Sequence, residues 1–302
     1  MKQEKKDKKI NKLISLFTSG AIEECKREAR KAVEIYPKEP FLFNLLGVTH
    51  AETNSFEKAI AYYKKATDLN LGYFEAYNNM GVAYTYWKKP DLAVESLRQA
   101  IKLNPNYAEA FNNLGNCQKE LTDYEDAIKS YEKAIKIDPS YIDALCNLGI
   151  VLGVLERYSD AEKTYKKALA LDPLGYKINY YFADNQFNQG FYDKAEEIAW
   201  KILEKNRSDP ELNNLIGNIL QKRGKRKSVQ FFRRSLKNTE RKDVSLNNIG
   251  TLLYEKRKIK PAIRFFCKAT AVNNHNSEAQ VNLAYSLLLK KYFPLGWEKH
   301  EY

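Results

Sequence analysis

The chain has 302 residues, of which 44% are hydrophobic and 29% are charged, and its formal net charge is +12. This hydrophobic content excludes an intrinsically disordered chain, and the length allows either two ordinary domains or one long repeat array. No stretch reaches 18 uncharged apolar residues, and the Lys-rich start leads into a short acid-containing segment, so we predict neither a transmembrane segment nor a signal peptide and expect a cytoplasmic protein.

After a Lys-rich leader at residues 1–8, the sequence repeats itself with a constant step. The motifs NNMG, NNLG and CNLG end at Gly81, Gly115 and Gly149, and an alanine recurs in the same phase at Ala93, Ala127 and Ala161. A period of about 34 residues indicates a stack of identical supersecondary units. We assign the periodic region to residues 9–290.

Each period contains two amphipathic helices. Between residues 108 and 140, apolar residues recur at helical spacing on both sides of Thr122 and Asp123, which are residues of the kind that cap helices. Pro139 is expected to end the second helix, because proline disfavours helical geometry in the preceding residue. Glycine in the middle of a helix costs about 1 kcal/mol relative to alanine, so we expect Gly115 to allow close approach of the partner helix at Ala127.

These residues resemble the tetratricopeptide repeat family. The family pattern of aromatic and small residues matches Tyr77, Met80, Gly81, Tyr84, Ala93, Leu97, Ala100 and Pro105. The resemblance implies an all-α, right-handed α-solenoid of about eight repeats plus the first helix of a ninth. Repeats are expected to begin near residues 6, 40, 74, 108, 142, 176, 210, 243 and 277.

In this family, a concave groove lined by the first helices binds extended or helical polypeptide segments. Asparagine recurs at the fifth and sixth positions of the first helices, and an amide can both donate and accept a hydrogen bond. The resemblance therefore implies a peptide-binding groove made by Asn78, Asn79, Asn112, Asn113, Asn116, Asn147, Asn247, Asn248 and Asn282. Alternatively, these amides bond to one another or to carbonyl groups of adjacent repeats.

Two repeats depart from the pattern. The repeat at 176–209 has Ala183 in place of the glycine and Asn179 in place of the aromatic residue, and the next repeat lacks one residue in its central turn.

A strongly basic segment covers residues 221–270, with 16 Lys and Arg against three acids. It is either a solvated face or a surface for an acidic protein, a nucleic acid or an anionic lipid. The candidate residues are Arg223, Lys225, Arg226, Arg233, Arg234, Arg257, Lys260 and Arg264.

An aromatic segment, residues 291–302, ends the sequence and contains a GW-x-x-x-E motif that begins at Gly296. It resembles the segment that closes the repeat arm of O-linked N-acetylglucosamine transferases and of SPINDLY-like bacterial proteins. That resemblance implies a substrate-recognition arm of a larger glycosyltransferase-type enzyme whose catalytic domain would follow residue 302.

The cysteines and histidines do not suggest chemistry. Four cysteines without a CxxC pair and three scattered histidines provide neither a metal-ligand spacing nor a nucleophile with a neighbouring base. We therefore predict no catalytic residue, no metal and no cofactor within these 302 residues, and expect a non-catalytic scaffold that binds a protein partner.

Overall fold

The computed structural model describes residues 2–290, and all of the regular secondary structure in this range is α-helical. The helices of the first half are α1 Lys2–Thr18, α2 Ile22–Ile35, α3 Pro40–Ala51, α4 Phe56–Leu69, α5 Phe74–Tyr86, α6 Pro90–Leu103, α7 Ala108–Glu120, α8 Tyr124–Ile137 and α9 Ile142–Val154. They are followed by α10 Tyr158–Leu171, α11 Tyr176–Asn188, α12 Tyr192–Leu203, α13 Pro210–Lys222, α14 Ser228–Asn238, α15 Lys242–Glu255, α16 Ile259–Val272 and α17 Ser277–Leu289.

The helices begin where the period predicts. Six first helices start at the predicted residues 40, 74, 108, 142, 176 and 210, and another starts at 277. Helix α15 starts one residue before the predicted 243, and α1 starts at Lys2 rather than near residue 6. Helix α8 ends at Ile137, directly before Asp138 and Pro139, as expected. The boundary predicted at residue 8 falls inside α1, where Lys6 pairs with Glu39 across 2.7 Å.

The chain divides into two compact units, Met1–Asp160 and Ala161–Tyr302, and α10 spans the division. In the N-terminal unit, α1 to α8 form four antiparallel hairpins, and each second helix also packs against the first helix of the next hairpin. The first helices α3, α5, α7 and α9 contact one another in sequence. In the C-terminal unit, the hairpins α11–α12, α13–α14 and α15–α16 and the final α17 repeat this arrangement.

The repeated glycine faces a large side chain rather than a small one. A Cβ atom added to Gly115 would lie 2.6 Å from Cε1 of Tyr131, which is too close for any real contact. The expected close approach of the partner helix is seen at Gly81, where the carbonyl oxygen of Ala93 lies 3.2 Å from the added Cβ, but the nearest atoms belong to the larger side chain. The glycine makes room for the fully buried residue in the middle of the second helix, and the same clash would arise at Gly47, Gly81, Gly217 and Gly250.

The turn inside each hairpin depends on backbone geometry rather than on a side-chain cap. Thr122 adopts φ 63°, its N–H donates to the carbonyl of Lys119, and the next N–H, of Asp123, donates to Gln118. This is the Schellman arrangement that ends a helix with one left-handed residue. The interruption predicted at these residues is confirmed, but Asp123 makes no side-chain capping bond. Positive φ recurs at Gly20, Asn54, Lys88, Glu156, Gly190, Gly224 and Arg257.

The residue missing from the repeat at 210 is lost between Gly224 and Phe232. Gly217 faces Phe232, whereas Gly115 faces Tyr131, so the large partner comes one position earlier along the chain in the shortened repeat. Five residues, 223–227, separate α13 from α14, whereas three, 121–123, separate α7 from α8. Helix α14 has 11 residues and the other second helices have 12 to 14, so the shortening falls in the helix rather than in the predicted turn.

Candidate functional site

The repeated asparagines form hydrogen bonds between neighbouring repeats. Nδ2 of Asn113, at the sixth position of its repeat, donates to Oδ1 of Asn78, at the fifth position of the preceding repeat, across 2.9 Å. The same bond joins Asn79 to Asn44 at 3.1 Å, Asn147 to Asn112 at 2.9 Å and, in the C-terminal unit, Asn282 to Asn247 at 3.0 Å. We call this row of bonds the amide ladder.

The ladder corresponds to the second of the two alternatives that the sequence leaves open. Asn78, Asn112 and Asn247 are buried, and they serve as acceptors within the stack. Burial removes these three residues from contact with a ligand. A buried amide that lacked such a partner would cost about 1–3 kcal/mol, which explains why donor and acceptor recur together.

An acid in the first turn completes the ladder in the N-terminal unit. Nδ2 of Asn78 donates to Oε1 of Glu109 at 3.0 Å, and the hydroxyl of Tyr107 donates to the other oxygen at 2.9 Å. Burial, followed by the charge of Glu109, raises the pKa of Tyr107. The acid at the second position thus has a structural role that spacing alone does not reveal.

Tyrosine precedes the first helix in three successive repeats, at Tyr73, Tyr107 and Tyr141. Burial, and then nearby carboxylates, raise the pKa of Tyr73 and of Tyr141 to about 12. Each of these two hydroxyls also bonds to a ladder amide, Tyr73 to Asn44 and Tyr141 to Asn112. None of the three tyrosines is among the predicted site residues, although their recurrence in step with the repeat could have revealed them.

Asn79 and Asn113 are half-buried and retain hydrogen-bonding capacity. Each uses its Nδ2 within the ladder, whereas its carbonyl oxygen has no bond within residues 2–290. Asn116 differs, because its Oδ1 accepts from the hydroxyl of Tyr131 at 2.9 Å and from Nδ2 of Asn147 at 3.1 Å.

Two recesses open beside these free carbonyl groups, one on each side of Tyr86, whose side chain is 68% exposed. The first has a volume of about 380 Å³ and lies between α3 and α5, with Asn79 and Phe56 in its lining. The second has a volume of about 310 Å³ and lies between α5 and α7, with Asn113 and Asn116 in its lining. The ring of Tyr86 stacks on Phe56 at 5.8 Å, which fixes its position.

Two sequence profiles, each described as "Tetratricopeptide repeat", match the chain. One covers residues 74–107, 108–141 and 142–173, and the other covers residues 42–73. Residues 42–173 therefore carry tetratricopeptide repeats. The matched segments span α3 to α10 and include most of the amide ladder, and repeats of this family typically act as protein-interaction scaffolds.

Solved structures of tetratricopeptide repeat type share the fold. A tetratricopeptide repeat protein from Parabacteroides merdae ATCC 43184 has a TM-score of 0.68 at 17% identity, covering 82% of this chain and 98% of its own. A chain of the APC/C hetero-tetramer Cut9–Hcn1 has a TM-score of 0.70 at 15% identity, covering 92% of this chain and 55% of its own. These similarities confirm the predicted all-α solenoid of stacked repeats. No curated protein matches the chain by sequence.

In the C-terminal unit, the candidate asparagines Asn248 and Asn282 have different surroundings. Asn248 is half-buried and lines a recess of about 520 Å³ together with Tyr180, Tyr181 and Asp184, whereas Asn282 belongs to the ladder. The first helix at this recess comes from the irregular repeat, in which Asn179 is buried and donates to the carbonyl groups of Pro173 and Gly175. The recess therefore differs chemically from those of the N-terminal unit.

The basic candidates lie in hairpin turns and on second helices of the C-terminal unit, as predicted. Lys225 pairs with Glu196 across 2.7 Å, and Arg223 pairs with Glu196 and Asp193, so both cations are neutralised within the unit. Arg226 and Arg257 lie in turns, Arg233 and Arg234 on α14, and Lys260 and Arg264 on α16. These six make no ion pair with the described residues.

The cysteines have the surroundings of structural residues. Cys25, Cys117 and Cys146 are buried and Cys267 is exposed, and burial raises the pKa of the Cys25 and Cys117 thiols.

Residues 2–290 contain no cluster of three His, Cys, Asp or Glu side chains suited to a metal ion. None of the helices in this range combines the length and apolarity needed to cross a membrane. The terminal segment 291–302, which carries the resemblance to transferase arms, lies outside the described residues.

Proposed function

We propose that this protein is an interaction scaffold that binds an extended polypeptide along the first helices of its N-terminal unit. The observation that carries the proposal is the pair of recesses beside Tyr86, each bordered by a ladder asparagine with a free carbonyl group. The recesses are suited to side chains, and the carbonyl groups are suited to backbone N–H groups. Such contacts recognise an extended chain with little demand on its sequence.

The ladder supports this function by fixing the amides before a ligand arrives. Because Nδ2 of Asn79 and of Asn113 is bonded to the preceding repeat, neither amide can rotate freely. Pre-organised groups lose less conformational entropy on binding. Neighbouring helices lie about 8–10 Å apart, which corresponds to about three residues of extended chain at about 3.1–3.3 Å each. The expected ligand therefore presents an N–H group to successive amides at every third residue.

The comparison with Cut9–Hcn1 is compatible with a protein partner, since that assembly contains two kinds of protein chain. It supports the general role alone, because a similarity at 15% identity concerns the fold.

A phage-displayed library of random 12-residue peptides, selected on the whole chain, tests the proposal. Binding of the selected peptides is measured by fluorescence anisotropy for the parent and for Tyr86→Ala and Asn113→Ala. We expect each substitution to weaken binding at least about tenfold, which corresponds to about 1.4 kcal/mol. Phe191→Ala is the matched control, since Phe191 is an exposed aromatic residue of the other unit.

Equal affinity for all four proteins would refute the groove assignment, and so would a selection that yields no binding peptide. Thermal melting followed by circular dichroism confirms that each variant is folded before its affinity is compared.

A second candidate function, binding of an acidic or nucleic-acid partner through residues 221–270, is favoured by a specific observation. Arg233, Arg234, Lys260 and Arg264 are exposed on α14 and α16 and have no carboxylate partner among the described residues. A surface with unpaired cations attracts anions, and such association weakens as the salt concentration rises.

A further inference from the structure

The second helices of the last two hairpins differ in charge from all the earlier ones. Every second helix from α2 to α12 contains at least two Asp or Glu residues, whereas α14 and α16 contain none. These two helices carry Arg233, Arg234, Lys237, Lys260, Arg264 and Lys268.

Helix stability does not explain the missing acids. An acid in the first turn interacts favourably with the positive end of the helix dipole, and α4, α6, α8, α10 and α12 each have one. Helices α14 and α16 lack this stabilising interaction. The positive charge that α14 and α16 share on this face therefore points to a ligand with several negative charges.

A recess of about 700 Å³ lies on this face and contains an exposed aromatic ring. The side chain of Trp200 on α12 is 43% exposed at the recess, and its ring meets the ring of buried Phe231 edge-on, with centroids 5.7 Å apart. The guanidinium group of Arg234 lies over Phe231, 5.0 Å from the ring centroid. The indole is thus held in place by Phe231 while much of it remains exposed to a stacking partner.

Four cations line the recess that contains the ring, whose Nε1 donates to Oε1 of Glu196 at 3.2 Å. Arg207, Lys227 and Lys237 line the recess with Arg234, and none of the four forms an ion pair with the described residues, although Glu204 is also part of the lining. The basic segment identified from the sequence, residues 221–270, contains Lys227, Arg234 and Lys237 but neither Trp200 nor Arg207, which precede it in the chain.

We infer that this recess binds single-stranded nucleic acid, with a base stacked on Trp200 and the neighbouring phosphates bound by Arg207, Lys227, Arg234 and Lys237. The inference rests on the second candidate function and specifies its ligand. Stacking on an aromatic ring within a basic groove is how proteins bind single strands without reading their sequence. An acidic peptide would use the cations but has no need of a flat exposed ring, and a bilayer surface does not enter a recess.

The adjacent repeat offers a second contact of the same kind. Phe265 and Lys268 on α16 occupy the positions that Phe231 and Arg234 hold in the preceding repeat, and Nζ of Lys268 lies 5.7 Å from the Phe265 centroid. A strand bound at Trp200 can therefore continue along α16 and gain further phosphate contacts.

The experiment measures anisotropy of a fluorescein-labelled 15-mer of oligouridine with the whole chain between about 50 and 300 mM NaCl. We expect the logarithm of the association constant to fall linearly with the logarithm of the salt concentration, by about 0.7 per phosphate bound. The double variant Arg234→Gln and Lys237→Gln should reduce this slope by about 1.4. The matched control, Lys102→Gln and Lys136→Gln, changes the charge equally on exposed second-helix positions of the N-terminal unit and should leave the slope unchanged.

A stacking variant separates the ring from the charges. Trp200→Leu should weaken binding at least about fivefold without altering the salt slope, and Trp200→Phe should restore most of the affinity. Circular dichroism of both variants verifies folding.

The inference is overturned if the oligonucleotide fails to bind at about 50 mM NaCl, or if a 15-residue polyglutamate peptide or phosphatidylserine vesicles bind more tightly. It is also overturned if Trp200→Leu has no effect. If the double variant nevertheless lowers the slope, the second candidate function survives without stacking on Trp200. The peptide selection on the N-terminal unit is independent of all these outcomes.

Discussion

The bond between Asn113 and Asn78 should contribute a measurable coupling free energy, and a double-mutant cycle can isolate it. Asn78 is fully buried, and its Oδ1 accepts from Nδ2 of Asn113 at 2.9 Å. Asn78→Ala also removes the bond to Glu109, which as a bond to a charged group is worth about 1.5–3 kcal/mol. Asparagine is less helix-favouring than alanine by about 0.6 kcal/mol, which offsets part of the loss. We expect Asn78→Ala to destabilise the N-terminal unit by about 2–3 kcal/mol.

The cycle removes the terms that belong to one residue alone. The gain in helix propensity at each position, and the loss of the bond from Asn78 to Glu109, contribute the same free energy in the single variant and in the double variant. These contributions therefore cancel from the coupling free energy. What remains is the amide–amide bond, for which we expect about 1 kcal/mol. The double variant should therefore be less destabilised than the sum of the single variants by this amount.

Hydrogen exchange of the amides in α5 and α7 is the appropriate assay, because long repeat arrays do not always unfold as one unit. A coupling of about 1 kcal/mol corresponds to about a fivefold difference in exchange rate. Asn44→Ala combined with Asn113→Ala serves as the control cycle, since these residues belong to different rungs of the ladder, and its effects should add within about 0.5 kcal/mol. A coupling near zero for Asn78 and Asn113 would show that the ladder does not stabilise the stack.

Three further variants test packing and burial. Gly115→Ala should lower the melting temperature, because overpacking against Tyr131 costs about 1–3 kcal/mol and outweighs a helix-propensity gain of about 1 kcal/mol. Gly153→Ala, where an added Cβ would meet nothing within 4 Å, should stabilise by about 0.5–1 kcal/mol, and a change of the same sign at both glycines would contradict the packing argument. Burial raises the pKa of Asp184 above its ordinary value of 3.8, so the folded state holds this proton more tightly than the unfolded chain does. The folding stability that comes from the protonated carboxyl is therefore lost as the pH rises through the folded pKa. Asp184→Asn should therefore melt higher than the parent at pH 7 and not at pH 3; an advantage of equal size at both pH values would exclude ionisation as the cause.

The amino-acid sequence determined the repeat and its helices. The constant step between repeats and the helical spacing of apolar residues predicted the start of most first helices to the residue, and Pro139 predicted the end of α8. Signals of this kind are local, because they depend on which residues share one face of a helix and which backbone geometry a proline permits. The all-α solenoid could be predicted for the same reason.

Contacts between helices were decided by the tertiary structure. An asparagine offers the same donor and acceptor to a ligand and to a neighbouring repeat, so only the position of Asn113 beside Asn78 distinguishes the two roles. Gly115 indicated close approach, but the large ring of Tyr131 rather than a small residue proved to occupy the space. From the sequence, Arg223 counts as one of the positive charges of the basic segment, but in the structure it pairs with Glu196 on α12. Such pairings join residues that are distant along the chain, and a periodic pattern carries no information about which of several equivalent partners the packed helices bring together.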